Sequence, residues 1–178
     1  VAIEDAELMN RTKQLLAKRG VHVPEISVGA TATARFIKDI PHATEMRPGM
    51  YVFNDRFVMD AGGAIEADCA LRVVATVVGK PDPSRVIIDA GSKTLALDPF
   101  RHGGHGRIVG HDDLVLKGLS EEHGRIEAVG GTSLAIGDVV QIIPNHVCPV
   151  VNLADHLYGF RDGRLETVIP VAARGKNR

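Results

Sequence analysis

The pattern of apolar and polar positions changes character along the chain. Over residues 3–19, Leu8, Thr12, Leu15 and Leu16 recur at helical spacing, and Glu7 and Arg11 pair on another face; this predicts an amphipathic helix stopped by Gly20. Ile26-Ser27-Val28 then reads as a short buried-type strand running into the small residues Gly29-Ala30-Thr31-Ala32-Thr33. Helix, strand and small-residue loop form the unit of an α/β fold. The unit occurs once, as expected of the tail end of a longer α/β domain. After about residue 40 the texture turns strand-like, and Thr44-Glu45-Met46-Arg47-Pro48-Gly49 is a turn and linker signature. Residues 70–78 and 85–89 flank Pro81-Asp82-Pro83-Ser84 as a hairpin, and residues 114–119 and 125–129 flank Glu121-Glu122-His123-Gly124 as another. Residues 157–160 and 165–171 flank Arg161-Asp162-Gly163-Arg164, an Asp-Gly hairpin. Residues 139–143, ending at Pro144, form a further strand, with residues 150–153 following in the same strand-like style. Many short strands at close spacing predict a mainly β domain, an antiparallel sandwich or barrel. Residues 99–113, rich in Gly and His, read as an exposed loop, and residues 174–178 as a frayed basic tail.

Composition narrows the functional classes. The chain has 178 residues, 44% of them hydrophobic, enough for one domain or slightly more with a real core. A net charge of -1 leaves no basic surplus for nucleic acid or anionic membrane, and the lack of Trp argues against base-stacking platforms. No apolar run is long enough to span a bilayer. The first residues are neither a signal peptide nor a natural start, so further residues are expected upstream. Cys69 and Cys148 are too few for a disulfide framework and suit a reduced, cytoplasmic setting. Cys69, in an apolar stretch, reads as a buried core thiol.

Several groups could carry chemistry. In Pro144-Asn145-His146-Val147-Cys148-Pro149, an extended backbone would project His146 and Cys148 to one side, where imidazole and thiolate suit zinc or a similar metal. Two ligands do not close a structural site, and the pair taken alone also fits a buried thiol beside a solvated histidine. Ser27-Val28-Gly29-Ala30-Thr31 could bring backbone N–H groups to a phosphate, or be an ordinary strand-to-helix turn. Glu121-Glu122-His123 could tune a base, or form a solvated turn. His102, His105 and His111 could bind metal, or be surface histidines. Lys93 reads as a solvated lysine at a strand end.

These segments also occur in a telling order. Ser27 to Thr31, Thr44 to Asp55, Ile88 to Lys93, Glu121 to Gly124 and Pro144 to Leu153 together resemble the C-terminal half of the D-serine dehydratase and D-threonine aldolase family. These are pyridoxal-phosphate enzymes of the alanine-racemase-like fold, with an N-terminal α/β barrel and a C-terminal β domain. The resemblance implies that residues 1–37 are the end of the TIM-type barrel and residues 38–178 the β domain. It implies that Gly29, Ala30 and Thr31 bind the cofactor phosphate, with Tyr51 nearby. Ala30 replaces the Ser more usual in the family, which leaves a backbone contact there. It implies that His146 and Cys148 hold a divalent metal, zinc first, then manganese or magnesium.

The implied reaction is lysis of a small β-hydroxy D-amino acid, by an aldolase or a dehydratase, in a cytoplasmic homodimer. The cofactor would act as electron sink and the metal as Lewis acid on the β-hydroxyl. The family's cofactor-bearing lysine lies in a region before residue 1, and Lys93 does not match it. No catalytic residue is therefore assigned within these residues, and the chain by itself is expected to be inactive. Two other readings are a non-catalytic β domain for metal binding or dimerisation, and a metal hydrolase using His146, Cys148 and a histidine of the 102–111 loop.

Overall fold

A computed structural model describes residues 2–40 and 42–176. The N-terminal helix, α1 (Ala2–Ala17), carries Glu4 and Asp5 in its first turn, where carboxylates favour the positive end of the helix dipole. Ala6 is buried, but Leu8 and Leu15 of the apolar stripe are exposed. β1 (Ser27–Val28), α2 (Thr31–Ala34) and β2 (Glu45–Met46) follow. β1 and β2 pair in parallel, Ser27 with Glu45 and Val28 with Met46, so two of the six residues expected to be turn and linker are strand. Next come a 3-10 turn over Met50–Val52 and α3 (Arg56–Asp60).

The body of the molecule is one antiparallel sheet. It comprises β3 (Val73–Asp82), β4 (Arg85–Ile88), β5 (Gly106–Ile108), β6 (Leu114–Leu119), β7 (Gly124–Ala128) and β8 (Val139–Pro144). α4 (Ser92–Leu95) lies between β4 and β5. The strand order is β5-β8-β3-β4-β7-β6. The outer strands come back together where the amide of His105 donates to the carbonyl of Leu116 at 2.9 Å, so the sheet is a nearly closed barrel.

Side chains two apart along a strand share a face. Val73, Ala75 and Val77 therefore meet Val86, Ile88, Leu116, Ile126 and Ile142 inside one core. At the end of β8 this alternation stops, and Ile142, Ile143, Pro144 and Asn145 are all buried. There the strand is covered on both faces as it leaves the sheet.

α5 (Val147–Leu153) follows at once, and the chain ends in the hairpin β9 (His156–Arg161) and β10 (Arg164–Pro170). All three hairpins expected from the sequence are present. Asp162 and Gly163 close the last one at φ 50° and 74°, the left-handed pair that a two-residue turn requires.

Three expectations fail. Residues 150–153 are helical, because the burial of Pro144 and Asn145 turns the chain out of the sheet. Residues 99–113 are not simply an exposed loop, since β5 pairs Gly106 with Pro144 and Ile108 with Ile142, and Ile108 is buried. Arg174 is tied to Asp155 at 2.9 Å rather than frayed, and residues 177–178 lie outside the described residues. Among the described residues no helix is long and apolar enough to cross a membrane.

Candidate metal centre

His146 and Cys148 sit where β8 hands over to α5. His146 is the residue before the helix, in extended conformation (φ −137°, ψ 112°), and Cys148 is in its first turn. The pair is thus not presented by one extended segment, as the sequence alone suggested. Its geometry is set by the strand-to-helix junction.

That junction is held by Asp55. Its carboxylate is fully buried and accepts the Val58 amide at 3.0 Å, which caps α3. Its other oxygen accepts the Val147 amide at 2.9 Å, between the two candidate ligands. The Phe57 amide donates to the Asn145 carbonyl at 3.2 Å, a second tie between α3 and the same junction. The Phe57 ring lies 5.7 Å from that of His146 and stacks on Phe100.

A second carboxylate faces the site. Asp98 Oδ1 is 3.0 Å from His146 Nδ1. The loop that carries it is fastened by Asn145, which is almost wholly buried and donates from Nδ2 to the carbonyls of Asp98 (2.9 Å) and Gly104 (3.0 Å). Arg56 donates to Asn145 Oδ1 and to the carbonyls of Gly103 and Gly106, and its guanidinium lies 3.7 Å above the Phe100 ring.

Cys148 is exposed as a residue, which removes the reading of it as a buried thiol. Partial desolvation nevertheless pushes its pKa up, and the negative charges of Asp55 and Asp98 add to the rise against an opposing backbone hydrogen bond. The desolvation part of that rise says nothing of a cation, but the part from Asp55 and Asp98 marks a negative field at the sulfur, which favours a cation there. Imidazole, thiol and nearby carboxylate therefore fit a borderline divalent metal. Among the described residues no three His, Cys, Asp and Glu side chains form a closed ligand set, so protein ligation here would leave positions open.

The proposed phosphate loop lies elsewhere. Gly29 packs so closely on Arg47 that an added Cβ would fall 3.0 Å from the Arg47 Cβ. Ala30 is extended and precedes α2, and Thr31 begins that helix. The Tyr51 amide donates to Thr31 Oγ1 at 3.2 Å, which leaves the hydroxyl proton free to serve another acceptor. Arg47 also reaches Ser27, which in turn reaches Glu45. A hydroxyl and helix-start amides are donors suited to an anion, while the Arg47 guanidinium is engaged by Ser27 and Glu45. Tyr51 reaches Thr31 through its backbone, and the residue is exposed.

The remaining candidates disperse. His102 meets Asp60, which Arg101 also contacts. His105 is partly buried, its Nδ1 has no partner among the described residues, and burial lowers its pKa. Lys93 stands in α4 and pairs with Glu121 (2.9 Å) and Glu122 (2.7 Å), which makes it a structural tie between α4 and the β6–β7 turn. Cys69 is buried, as expected, and both cysteines are free.

Sequence reasoning missed Asp98 and gave Asp55 no role. Asp55 carries a local signal, an acidic residue directly before a short helix. Asp98 carries none, because its partner is 48 residues away.

Comparison with known proteins places these features in context. Residues 70–160 match the family model described as "Putative serine dehydratase domain". The chain is 34% identical over 168 residues to the D-threonine aldolase of an Arthrobacter species, covering 93% of this chain and 43% of that protein. An uncharacterized protein of Mycobacterium tuberculosis is 38% identical over 132 residues, 71% of this chain and 99% of its own length. The solved D-threo-3-hydroxyaspartate dehydratase of Delftia sp. HT23 superposes with a TM-score of 0.77 and 28% identity, over 93% of this chain and 49% of that one. That enzyme has also been solved as a His-to-Ala variant and as a Cys-to-Ala variant two positions further on, the latter in the metal-free form. The chain spans less than half of the Arthrobacter aldolase and about half of the Delftia dehydratase.

Proposed function

The chain belongs to the serine dehydratase domain family, and from that premise we propose that it is the C-terminal portion of a metal-assisted, pyridoxal-phosphate-dependent lyase acting on β-hydroxy D-amino acids. In this reading residues 1–37 close an α/β barrel and residues 38–178 form the β domain. The observation that carries it is the junction of β8 and α5, where His146 and Cys148 stand within the field of two carboxylates. Their spacing equals that of the His and Cys replaced in the Delftia dehydratase variants.

Each residue has a task. His146 would hold the metal through Nε2 as a neutral imidazole, and Cys148 would hold it as a thiolate, giving up its proton on binding. Asp55 holds the backbone between them at a fixed angle without touching the metal. Backbone N–H groups at Gly29, Ala30 and Thr31 and the Thr31 hydroxyl would bind the cofactor phosphate, with the Tyr51 backbone holding Thr31 in place. The bound metal supplies Lewis acidity at the β-hydroxyl, and pyridoxal phosphate supplies the electron sink at Cα.

The test uses the protein as the cell makes it, incubated with D-threonine. Glycine and acetaldehyde identify an aldolase, and 2-oxobutanoate a dehydratase. Neither product, with other β-hydroxy D-amino acids also inert, removes the lyase reading. A second reading has one observation in its favour: the mycobacterial relative is matched over nearly its whole length without a barrel-sized segment. In that reading the β domain binds metal without catalysis, and the protein takes up zinc but not pyridoxal phosphate.

A further inference from the structure

We propose that Asp98 is a positioning residue for His146: its carboxylate fixes the tautomer and ring plane of the histidine so that Nε2 faces a divalent cation. The proposal rests on the reading of His146 and Cys148 as metal ligands and adds a residue that neither sequence pattern nor comparison singles out.

The argument begins with hydrogen-bond chemistry. An ionised carboxylate only accepts, so at 3.0 Å the proton between His146 Nδ1 and Asp98 Oδ1 belongs to the imidazole. A neutral ring protonated at Nδ1 has its lone pair on Nε2. The ring is also bounded from another side, by Phe57 at 5.7 Å and an interplanar angle of 51°. Rotation about the ring's own axis therefore breaks the Asp98 bond or moves the ring against Phe57.

A half-exposed His–Asp pair could be a surface ion pair of little consequence. The fastening of Asp98 argues otherwise. The Asp98 carbonyl accepts from Asn145 Nδ2 at 2.9 Å, and Asn145 is 2% exposed. Asn145 is also the residue directly before His146. The main chain of the acceptor is thus clamped to the main chain that carries the donor. Burial of an Asn committed to this clamp makes the carboxylate's position a property of the fold and not of a mobile side chain. Carboxylates placed behind a ligating histidine in this way characteristically matter about 10–100-fold in metal affinity.

The experiment titrates Zn2+ into chelator-treated protein, as the cell makes it, and reads the imidazole nitrogens of His146 by 15N NMR before metal is added. Asp98→Ala keeps the main-chain clamp, so the fold is retained and circular dichroism verifies it. The expected result is a 10–100-fold loss of zinc affinity with unchanged stoichiometry, and replacement of the Nδ1–H signature by a mixture of tautomers. Asp98→Asn keeps a carbonyl oxygen at the same place and recovers the Nδ1–H tautomer and most of the affinity. Unchanged affinity and tautomer in Asp98→Ala overturn the proposal. Loss of zinc in Asp98→Ala and Asp98→Asn as complete as in His146→Ala also overturns it, by making Asp98 a ligand. Wild-type protein that binds no zinc, or binds it unchanged in His146→Ala, removes the ligand reading itself and the proposal with it.

Discussion

Replacing Asp55 by Ala tests whether the candidate centre is built by the fold or only borne on it. Asp55 is 0% exposed and accepts two amides, from Val58 at 3.0 Å and Val147 at 2.9 Å, whose residues are 1% and 2% exposed. Truncation leaves both amides without an acceptor in a place where water enters only if the cavity admits it. A stranded buried donor costs about 1–3 kcal/mol, and loss of a helix cap by itself about 0.5–2 kcal/mol. The two descriptions overlap at Val58, so the expected loss is about 2–5 kcal/mol, the low end applying if one water replaces an oxygen. Against a typical total of roughly 5–15 kcal/mol this is a large fraction. Urea denaturation followed by circular dichroism measures it, as a lower midpoint at constant slope. Asp55→Asn keeps the shape and one acceptor, and should lose about half as much. A change below about 0.5 kcal/mol in Asp55→Ala would refute the reasoning, because the two helix starts would then not depend on the carboxylate.

The two cysteines should react unequally. Ellman's reagent should modify Cys148 in native protein and Cys69 only on unfolding, since Cys69 is 2% exposed and burial raises its pKa; two thiols reacting at one rate would contradict this. Zinc affinity should rise with pH. The Cys148 pKa is pushed up, so near neutrality the thiol is protonated and zinc must displace that proton, which gives about a tenfold gain per pH unit until the thiol ionises unaided. Calorimetry in buffers of different ionisation heat should find about one proton released per zinc, and none released would exclude Cys148 as a ligand.

Most of the barrel was legible in the chain. Hairpins announce themselves through local chemistry, a turn residue pair between alternating strands, and β3–β4, β6–β7 and β9–β10 all formed where that chemistry lies. The ordered motifs also led to the right family, because their residue types and sequence order survive without knowledge of their spatial neighbours. β5 was hidden among glycines and histidines, since its partner β8 lies some 35 residues away and local composition does not report a distant edge. The helical start of α5 was hidden for a related reason. His146 to Leu153 carries β-branched residues and a proline that suit either state, and the choice fell to the burial of Pro144 and Asn145.

What the sequence determined by itself, then, was the identity of two metal-competent side chains and a class of fold. The tertiary structure alone brought Asp55 and Asp98 to them, across 92 and 48 residues of chain. The physical reason is that donor type is a property of one residue. The tautomer of an imidazole, the pKa of a thiol and the angle of a helix start are instead set by which charges and acceptors the fold places within a few ångströms.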